Sequence, residues 1–332
     1  MDDAVVNNAS LNLDKYLGHD PVERTLVLQL GGSDPDKLAE AAARAELYGG
    51  FSEINLNCGC PSNNAKAKAF GACLMMTPDR VREIVSKMKR RTHGIPITVK
   101  SRLSAIDTRK KAIISQSPPV STLVANIKQA GCSKVIVHAR DCFLRGLSPA
   151  QNRTVPPLRY DDVFSLCESF PDMHFTLNGG VQGIEHAKEL MAGSHGLGGV
   201  MIGRAAYKNP WLLGAADHEC MGMDYISSPI SPQEVTKTRM DVVQRYLSYA
   251  DKILDSENII STACGDGGVS DGVDDGSEEC VFSDLCIKGP NTLPKLCKPL
   301  HHVLHGCGTA SAFKQALDVT IKRAAKASPA GG

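Results

Sequence analysis

The chain has 332 residues, 42% of them hydrophobic, with 30 glycines, 18 prolines and 12 cysteines, and its 37 basic residues nearly balance 36 acidic ones. That composition excludes a coiled coil, a collagen and a wholly disordered chain, and the length suits one barrel-sized domain plus an appendage. No window approaches the roughly 20 apolar residues that a membrane span needs, and Met1-Asp2-Asp3-Ala4 has neither region of a signal peptide. The expected compartment is therefore the cytoplasm, with an organelle as the alternative if residues precede Met1. Most of the cysteines are expected to be buried thiols, not disulfides.

From Thr25 onward, short β-branched runs alternate with helical patterns. Leu26-Val27-Leu28-Gln29-Leu30 reads as a strand, after which Leu38, Ala41, Ala42 and Ala45 fall on one helical face that ends at Gly49-Gly50. Glu53–Asn57 is the second strand. Thr77-Pro78 then supplies an N-cap with proline at the first helical position, ahead of Val81, Ile84, Val85 and Met88 at helical spacing. Ile97–Lys100, Lys134–His138, His174–Asn178 and Gly199–Gly203 follow as strands, with Ile184, Ala187, Leu190 and Met191 as a third helical face. Six strands with helical crossovers imply an α/β fold on a parallel sheet, either open and doubly wound or closed as a (β/α)8 barrel.

These strands end in Gln29, Asn57, Lys100, His138, Asn178 and Arg204. In a parallel α/β fold such ends converge on one face, where a barrel places its active site. Asn178-Gly179-Gly180 and Gly203-Arg204 follow neighbouring strands, so their backbone amides can approach a phosphate closely, with a helix N-terminus to favour the anion. Two ordinary glycine turns would read the same way. Cys58-Gly59-Cys60-Pro61 directly follows a strand and precedes a basic block, a setting for a nucleophile or an acid, or equally for a packed thiol.

After Trp211 the texture changes. Val235, Val242, Val243, Tyr246 and Leu247, then Leu300, Val303, Leu304, Phe313 and Leu317, read as amphipathic helices without strand signals. Between them Ser261–Gly289 is rich in Gly, Asp and Ser and too poor in large apolar residues to fold alone. Its Cys264, Cys280 and Cys286 lack a paired metal-ligand spacing, so no metal is expected. Charge is segregated: Cys60–Lys111 carries 13 basic residues against 3 acids, Asn291 to the end 6 against 1, and Asp251–Asp284 10 acids against one lysine. The two basic blocks suit a polyanionic partner, or the solvated faces of ordinary helices.

Taken together, Leu28-Gln29-Leu30-Gly31-Gly32-Ser33-Asp34-Pro35, Glu53-Ile54-Asn55-Leu56-Asn57 running into Gly59-Cys60-Pro61-Ser62, Phe70-Gly71-Ala72-Cys73-Leu74-Met75, Thr98-Val99-Lys100, His138-Ala139-Arg140, Gly146-Leu147-Ser148-Pro149, Asn152-Arg153, Pro156-Pro157-Leu158, Asn178-Gly179-Gly180 and Gly203-Arg204 resemble the tRNA-dihydrouridine synthases, and the DusA-type branch most closely. The resemblance spans roughly Asp2 to Trp211. It implies a TIM barrel over residues 1–215 that carries flavin, followed by a small all-helical tRNA-binding domain over 230–328 with a disordered acidic insertion at about 258–290. The implied reaction is reduction of the C5–C6 double bond of D-loop uridines, at sites 20 and 20a, through FMN recharged by NADPH. The implied partner is tRNA, with no DNA and no membrane.

By the same resemblance, Cys60 is the proton donor to C5 of uridine, and Gln29, Lys100 and His138 contact the flavin. Asn178, Gly179, Gly180, Gly203 and Arg204 form its phosphate cradle. Asn57 orients the target uridine, Arg153 sets the pose of the tRNA, and Cys73 is read as packed.

The sequence also departs from the family. The first barrel strand of the family, with its Ala-Pro-Met segment, and most of the second are expected to be missing, Met1–Val5 resembling the tail of that second strand. Ala150 stands where the branch often has lysine, and Gly308–Lys314 lacks arginines usual there. Two alternatives stay open: a non-catalytic tRNA-binding remnant, and a different FMN barrel oxidoreductase acting on a free pyrimidine.

Overall fold

The computed structural model describes residues 13–20, 23, 25–110, 113–193, 196–216, 238–249, 298–303, 305, 307, 311–315 and 317–319. The expected acidic insertion with its three cysteines, the Met1–Val5 segment, and Gly308, Thr309 and Ala310 lie outside them. The chain divides into two compact units, Met1–Gly203 and Arg204–Gly332.

The first unit is built from repeated strand-helix steps whose limits follow from local sequence. A short helix α1 (Asp14–Leu17) precedes β1 (Leu26–Leu30), and α2 spans Pro35–Tyr48. The carboxylate of Asp34 accepts the amides of Asp36 and Lys37 at 2.9 and 3.1 Å, capping a helix whose first residue is a proline with no amide to satisfy. These bonds, that from Lys37 foremost, hold the Asp34 carboxyl below its ordinary pKa. Leu38, Ala41, Ala42 and Ala45 are fully buried on one face, as their spacing predicts. β2 (Phe51–Cys58) leads into α3 (Asn63–Ala67), a 3-10 segment Gly71–Met76 and α4 (Pro78–Arg91). Val81, Ile84, Val85 and Met88 are all fully buried. Thr77 precedes the helix as expected but does not cap it: its hydroxyl makes no bond to the first turn and donates back to the Leu74 carbonyl. The proline alone sets that start.

β3 (Ile97–Arg102), α5 (Val120–Gln129), β6 (Lys134–His138), α6 (Tyr160–Ser169), β8 (His174–Asn178), α7 (Ile184–Ala192) and β9 (Gly199–Met201) continue the alternation. The third predicted helical face is narrower than its spacing suggests, since Ile184 is buried but Met191 is 40% exposed. β9 ends at Met201, two positions before the expected Gly203. Three further strands were not read from the sequence: β4 (Ala105–Lys110), β5 (Ile113–Gln116) and β7 (Cys142–Phe143). They form a separate small sheet in which β4 pairs antiparallel with β5 and parallel with β7.

The six predicted strands pair in chain order, β1-β2-β3-β6-β8-β9, all parallel. A doubly wound sheet reverses direction at a switch point, whereas a barrel adds each strand beside the last. The absence of a reversal among the described strands therefore decides for the wall of a (β/α) barrel. Ile54, Leu56 and Cys58 on one side of β2 are fully buried in the apolar core, which leaves Glu53, Asn55 and Asn57 on its other side.

In the second unit, α8 (Arg204–Lys208) and a 3-10 segment Pro210–Ala215 come first, and a helix covers 238–249. Val243, Leu300 and Val303 are buried together, with Trp211, Val242, Tyr246, Cys307, Phe313 and Leu317 packed on them. The Trp211 indole N–H donates to the Val303 carbonyl, and the Arg239 guanidinium lies 4.9 Å above the Trp211 ring. Leu247, expected on the apolar face, is 39% exposed.

The alanines of α2 leave no room for a longer side chain. Ala42→Leu is expected to lower stability by about 1–3 kcal/mol through overpacking, read as a shift of the urea unfolding midpoint.

Candidate active site

Parallel register brings the predicted strand-end residues to shared levels. Asn57 lies opposite Lys100, and His138 opposite Asn178. Gln29 pairs with Asn55, one level below Asn57. The side chains then join across strands. Lys100 Nζ donates to Asn178 Oδ1 at 3.2 Å, and Asn178 Nδ2 donates to the Met201 carbonyl at 2.9 Å, tying β3, β8 and β9 together. His138 is buried, and its ring packs on the backbone of Gly179: a Cβ there would sit 2.7 Å from His138 Cδ2. Gly179 also holds φ of +118°, a conformation that side chains rarely adopt. Its carbonyl accepts the Tyr160 hydroxyl at 2.6 Å. Burial pushes the Lys100 ammonium down to about pKa 8, helped by the positive charge of Arg102 and opposed by Cys60 nearby.

Cys60 sits on a turn held on several sides. Asn57 Oδ1 accepts the amides of Gly59 and Cys60, each at 3.0 Å. The Cys60 carbonyl accepts the Ala72 amide at 2.9 Å. Gly71 lies so close that a Cβ on it would meet the Cys60 carbonyl oxygen at 2.6 Å. The Gly59 carbonyl accepts Arg102 Nε at 3.1 Å. Cys60 is half-buried, whereas Cys58, on the strand, is fully buried and its thiol pKa is pushed far up by desolvation. Of the two thiols in the CxC pair, Cys60 is thus the one within reach of a reactant. Cys73 is half-buried and packs against the core as expected.

Arg102 was not among the residues singled out from sequence. It is 3% exposed, and besides Gly59 it donates from Nη1 to the Asn152 carbonyl at 2.7 Å. Asn152 is itself fully buried and exchanges hydrogen bonds with the Phe143 backbone, its Oδ1 accepting at 2.8 Å and its Nδ2 donating at 2.9 Å. One guanidinium therefore fixes the Cys60 turn relative to the loop whose next residue, Arg153, is exposed. The signal in the sequence was a charged residue two positions after Lys100, on the same side of β3. Gly203 follows β9, and among the described residues nothing lies within 4 Å of where its Cβ would be; Arg204 begins the second unit. Among the described residues, no group of three or more His, Cys, Asp or Glu is placed to hold a metal, and no helix is long and apolar enough to cross a membrane.

A barrel wall whose strand ends gather amides, a half-buried lysine and a buried histidine beside a half-buried loop cysteine belongs to the class of α/β barrels with their site at the C-terminal face of the strands. The sequence pattern of the dihydrouridine synthase (Dus) family matches residues 3–263, and the chain belongs to that family. It is 47% identical over 229 residues to a tRNA-dihydrouridine(20/20a) synthase of Xanthomonas axonopodis pv. citri (strain 306), covering 68% of this chain and 64% of that protein. Proteins of the same description from Synechocystis sp. (strain ATCC 27184 / PCC 6803 / Kazusa) and Salmonella typhi are each 40% identical, over 240 and 233 residues, covering 72% and 70% of this chain and 66% and 67% of those relatives. The chain thus spans about two thirds of the length of these curated relatives.

Lys100 generates a prediction about pH. Its folded pKa of about 8 lies below the ordinary 10.5, so between these values the unfolded chain binds more protons and stability rises with pH. Lys100→Met is expected to raise stability at neutral pH by roughly 2 kcal/mol and to flatten that rise. Urea titrations at neutral pH and near pH 10 measure both effects.

Proposed function

We propose that the protein is a flavin-dependent tRNA-dihydrouridine synthase that reduces the C5–C6 double bond of D-loop uridines, at sites 20 and 20a, with NADPH through FMN. The observation that carries the reading is the Cys60 turn, held by Asn57 and Arg102 at the face where Lys100, His138 and Asn178 meet, in a chain of the dihydrouridine synthase family.

The residues present fit a flavin. Gly179 and Gly180 hold φ of +118° and +70°, a turn after β8 that packs closely against His138, Leu158 and Tyr160, and successive backbone amides in such a turn suit a phosphate. Gly203 and Arg204 follow β9 in the motif assigned to the phosphate. Gln29, Lys100 and His138 supply donors for the polar edge of the ring. Bound and reduced, FMN supplies the hydride for C6 of uridine, chemistry that no side chain offers.

The protein's own part is positioning and proton transfer. Cys60 holds a proton on Sγ and releases it to C5, then regains one from solvent, so hydride and proton together saturate the double bond. Asn57 orients the uracil. Arg153, exposed beside the site, sets the pose of the tRNA, and the basic residues of 60–111 attract its phosphates. The base must leave its stack to reach Cys60, as for other enzymes that act on a base.

In the test, Cys60→Ala is expected to lower dihydrouridine formation on unmodified tRNA by about 10²–10⁴-fold, with the flavin spectrum and tRNA affinity kept, while Cys73→Ala stays active. Full activity of Cys60→Ala would show the acid to be another group. A purified chain that binds tRNA but never carries flavin would instead be a non-catalytic remnant. Binding of tRNA is expected to weaken with salt by a log-log slope of about 0.9 per phosphate contacted, measured by filter binding across a salt series.

A further inference from the structure

TIM-barrel interiors are ordinarily filled by layers of bulky branched apolar side chains. Here, below the site, the interior positions of β1, β2 and β3 carry a connected line of polar ones instead. Asn57 Nδ2 donates to Gln29 Oε1 at 3.0 Å, and Gln29 Nε2 donates to Asn55 Oδ1 at 2.8 Å. Asn55 Nδ2 donates to Thr98 Oγ1 at 2.9 Å, and Thr98 Oγ1 donates to Glu53 Oε1 at 2.8 Å. Glu53 ends the line, with Lys134 Nζ 2.8 Å from its other oxygen. Asn55 and Thr98 are each 1% exposed and Glu53 7%.

The two ends determine every orientation between them. The amides of Gly59 and Cys60 can only donate, so Asn57 must turn Oδ1 toward them and Nδ2 toward Gln29. Gln29 must then accept there and donate onward, and Asn55 likewise. The Thr98 hydroxyl, which has both capacities, accepts from Asn55 and gives its proton to a carboxylate that can only accept. A flip at Asn55 or Thr98 leaves a buried polar group unpaired, which is costly in a low-dielectric interior, while Gln29, exposed at the open side of β1, is held by its bonds to Asn57 and Asn55. Lys134 Nζ, 2.8 Å from the other oxygen, gives the buried carboxyl group of Glu53 its partner. For stability alone apolar residues of similar size would serve as well; a fully paired line with one direction serves to fix a geometry.

We propose that Glu53 is a positioning residue which, through Thr98, Asn55 and Gln29, sets the amide orientation of Asn57 and so holds the turn that presents Cys60. The inference gives Cys60 its importance from the function proposed above, and its consequence is structural and readable without turnover. Replacing Glu53 by an acceptor-and-donor group, or removing the Thr98 hydroxyl, lets the amides flip and frees the Gly59 and Cys60 amides from Asn57.

The test is amide hydrogen exchange of the full chain without tRNA, comparing the Gly59 and Cys60 amides with those of Val135, Ile136 and Val137 in β6 as an internal reference for global opening. Thr98→Val and Glu53→Gln are each expected to raise the exchange of the turn relative to β6 by at least about tenfold, and Thr98→Ser, which keeps the hydroxyl, to stay within about twofold of the parent. Glu53→Gln, which preserves volume but places a donor at the end of the line, decides the matter if Thr98→Val does not fold. An unchanged ratio in Glu53→Gln, or a rise in Thr98→Ser equal to that in Thr98→Val, overturns the proposal. A parent chain that fails to reduce tRNA while showing the expected exchange pattern refutes the functional reading and leaves this one standing.

Discussion

In a parallel sheet the residue-by-residue register decides which side chains share a level, and everything at this site depends on it. With Gln29 and Thr98 opposite Asn55, Lys100 opposite Asn57, and Arg102 and Asn178 opposite His138, five strand ends present their polar groups on three successive levels. A slip of one residue in β3 alone would turn Thr98 and Lys100 toward the helices and bring Val99 inside. The helices prevent that slip. Val81, Ile84, Val85 and Met88 of α4 are fully buried in the same core as Ile54, Leu56 and Val99, so the apolar side of each strand has one position in which to lie.

The two faces of β2 divide the work. Its helix-facing side supplies apolar burial, at roughly 25 cal/mol per Å² removed from water. Its inward side carries Glu53, Asn55 and Asn57, which contribute little of that and depend on complete pairing instead. Arg102 extends the same principle to the rim: a guanidinium 3% exposed is tolerable because backbone carbonyls of Gly59 and Asn152 take up its donors. The outcome is a loop cysteine bound at its amide, its carbonyl and the preceding carbonyl. Pre-organisation of this kind suits proton delivery to one atom, where small displacements are costly.

Much of this was legible in the sequence, and unevenly. The strands β1, β2, β3, β6, β8 and β9 carried their own pattern, since each is a short apolar run between turn signals. The strand-end residues could be collected because period-two alternation and parallel pairing place them automatically. The sheet β4-β5-β7 could not be seen that way. Ala105–Lys110 runs into a basic tip that reads as a solvated turn, and Cys142-Phe143 is a strand only because Ala105 and Ile106 come to it across more than thirty intervening residues. Glu53, Asn55, Thr98 and Arg102 were legible as residues but not as a set, because what makes each tolerable is a partner on another strand. Asn152 appeared in a motif with no task attached; its buried bonds to Phe143 give it one.

The pairing also narrows what Asn57 can do. Its Oδ1 already accepts two amides from the Cys60 turn, and one Nδ2 hydrogen is committed to Gln29. An amide nitrogen carries two hydrogens, so what Asn57 has left to offer a reactant is one donor. On the proposed reaction that donor meets a uracil carbonyl oxygen, and not the N3 hydrogen, which would need an acceptor. A hydrogen bond to a carbonyl conjugated with the C5–C6 bond draws electron density away from C6, which favours hydride arriving there. The same side chain would then hold the acid in place through its oxygen and polarise the base through its nitrogen. Both functions follow from the single amide orientation that the polar line to Glu53 imposes.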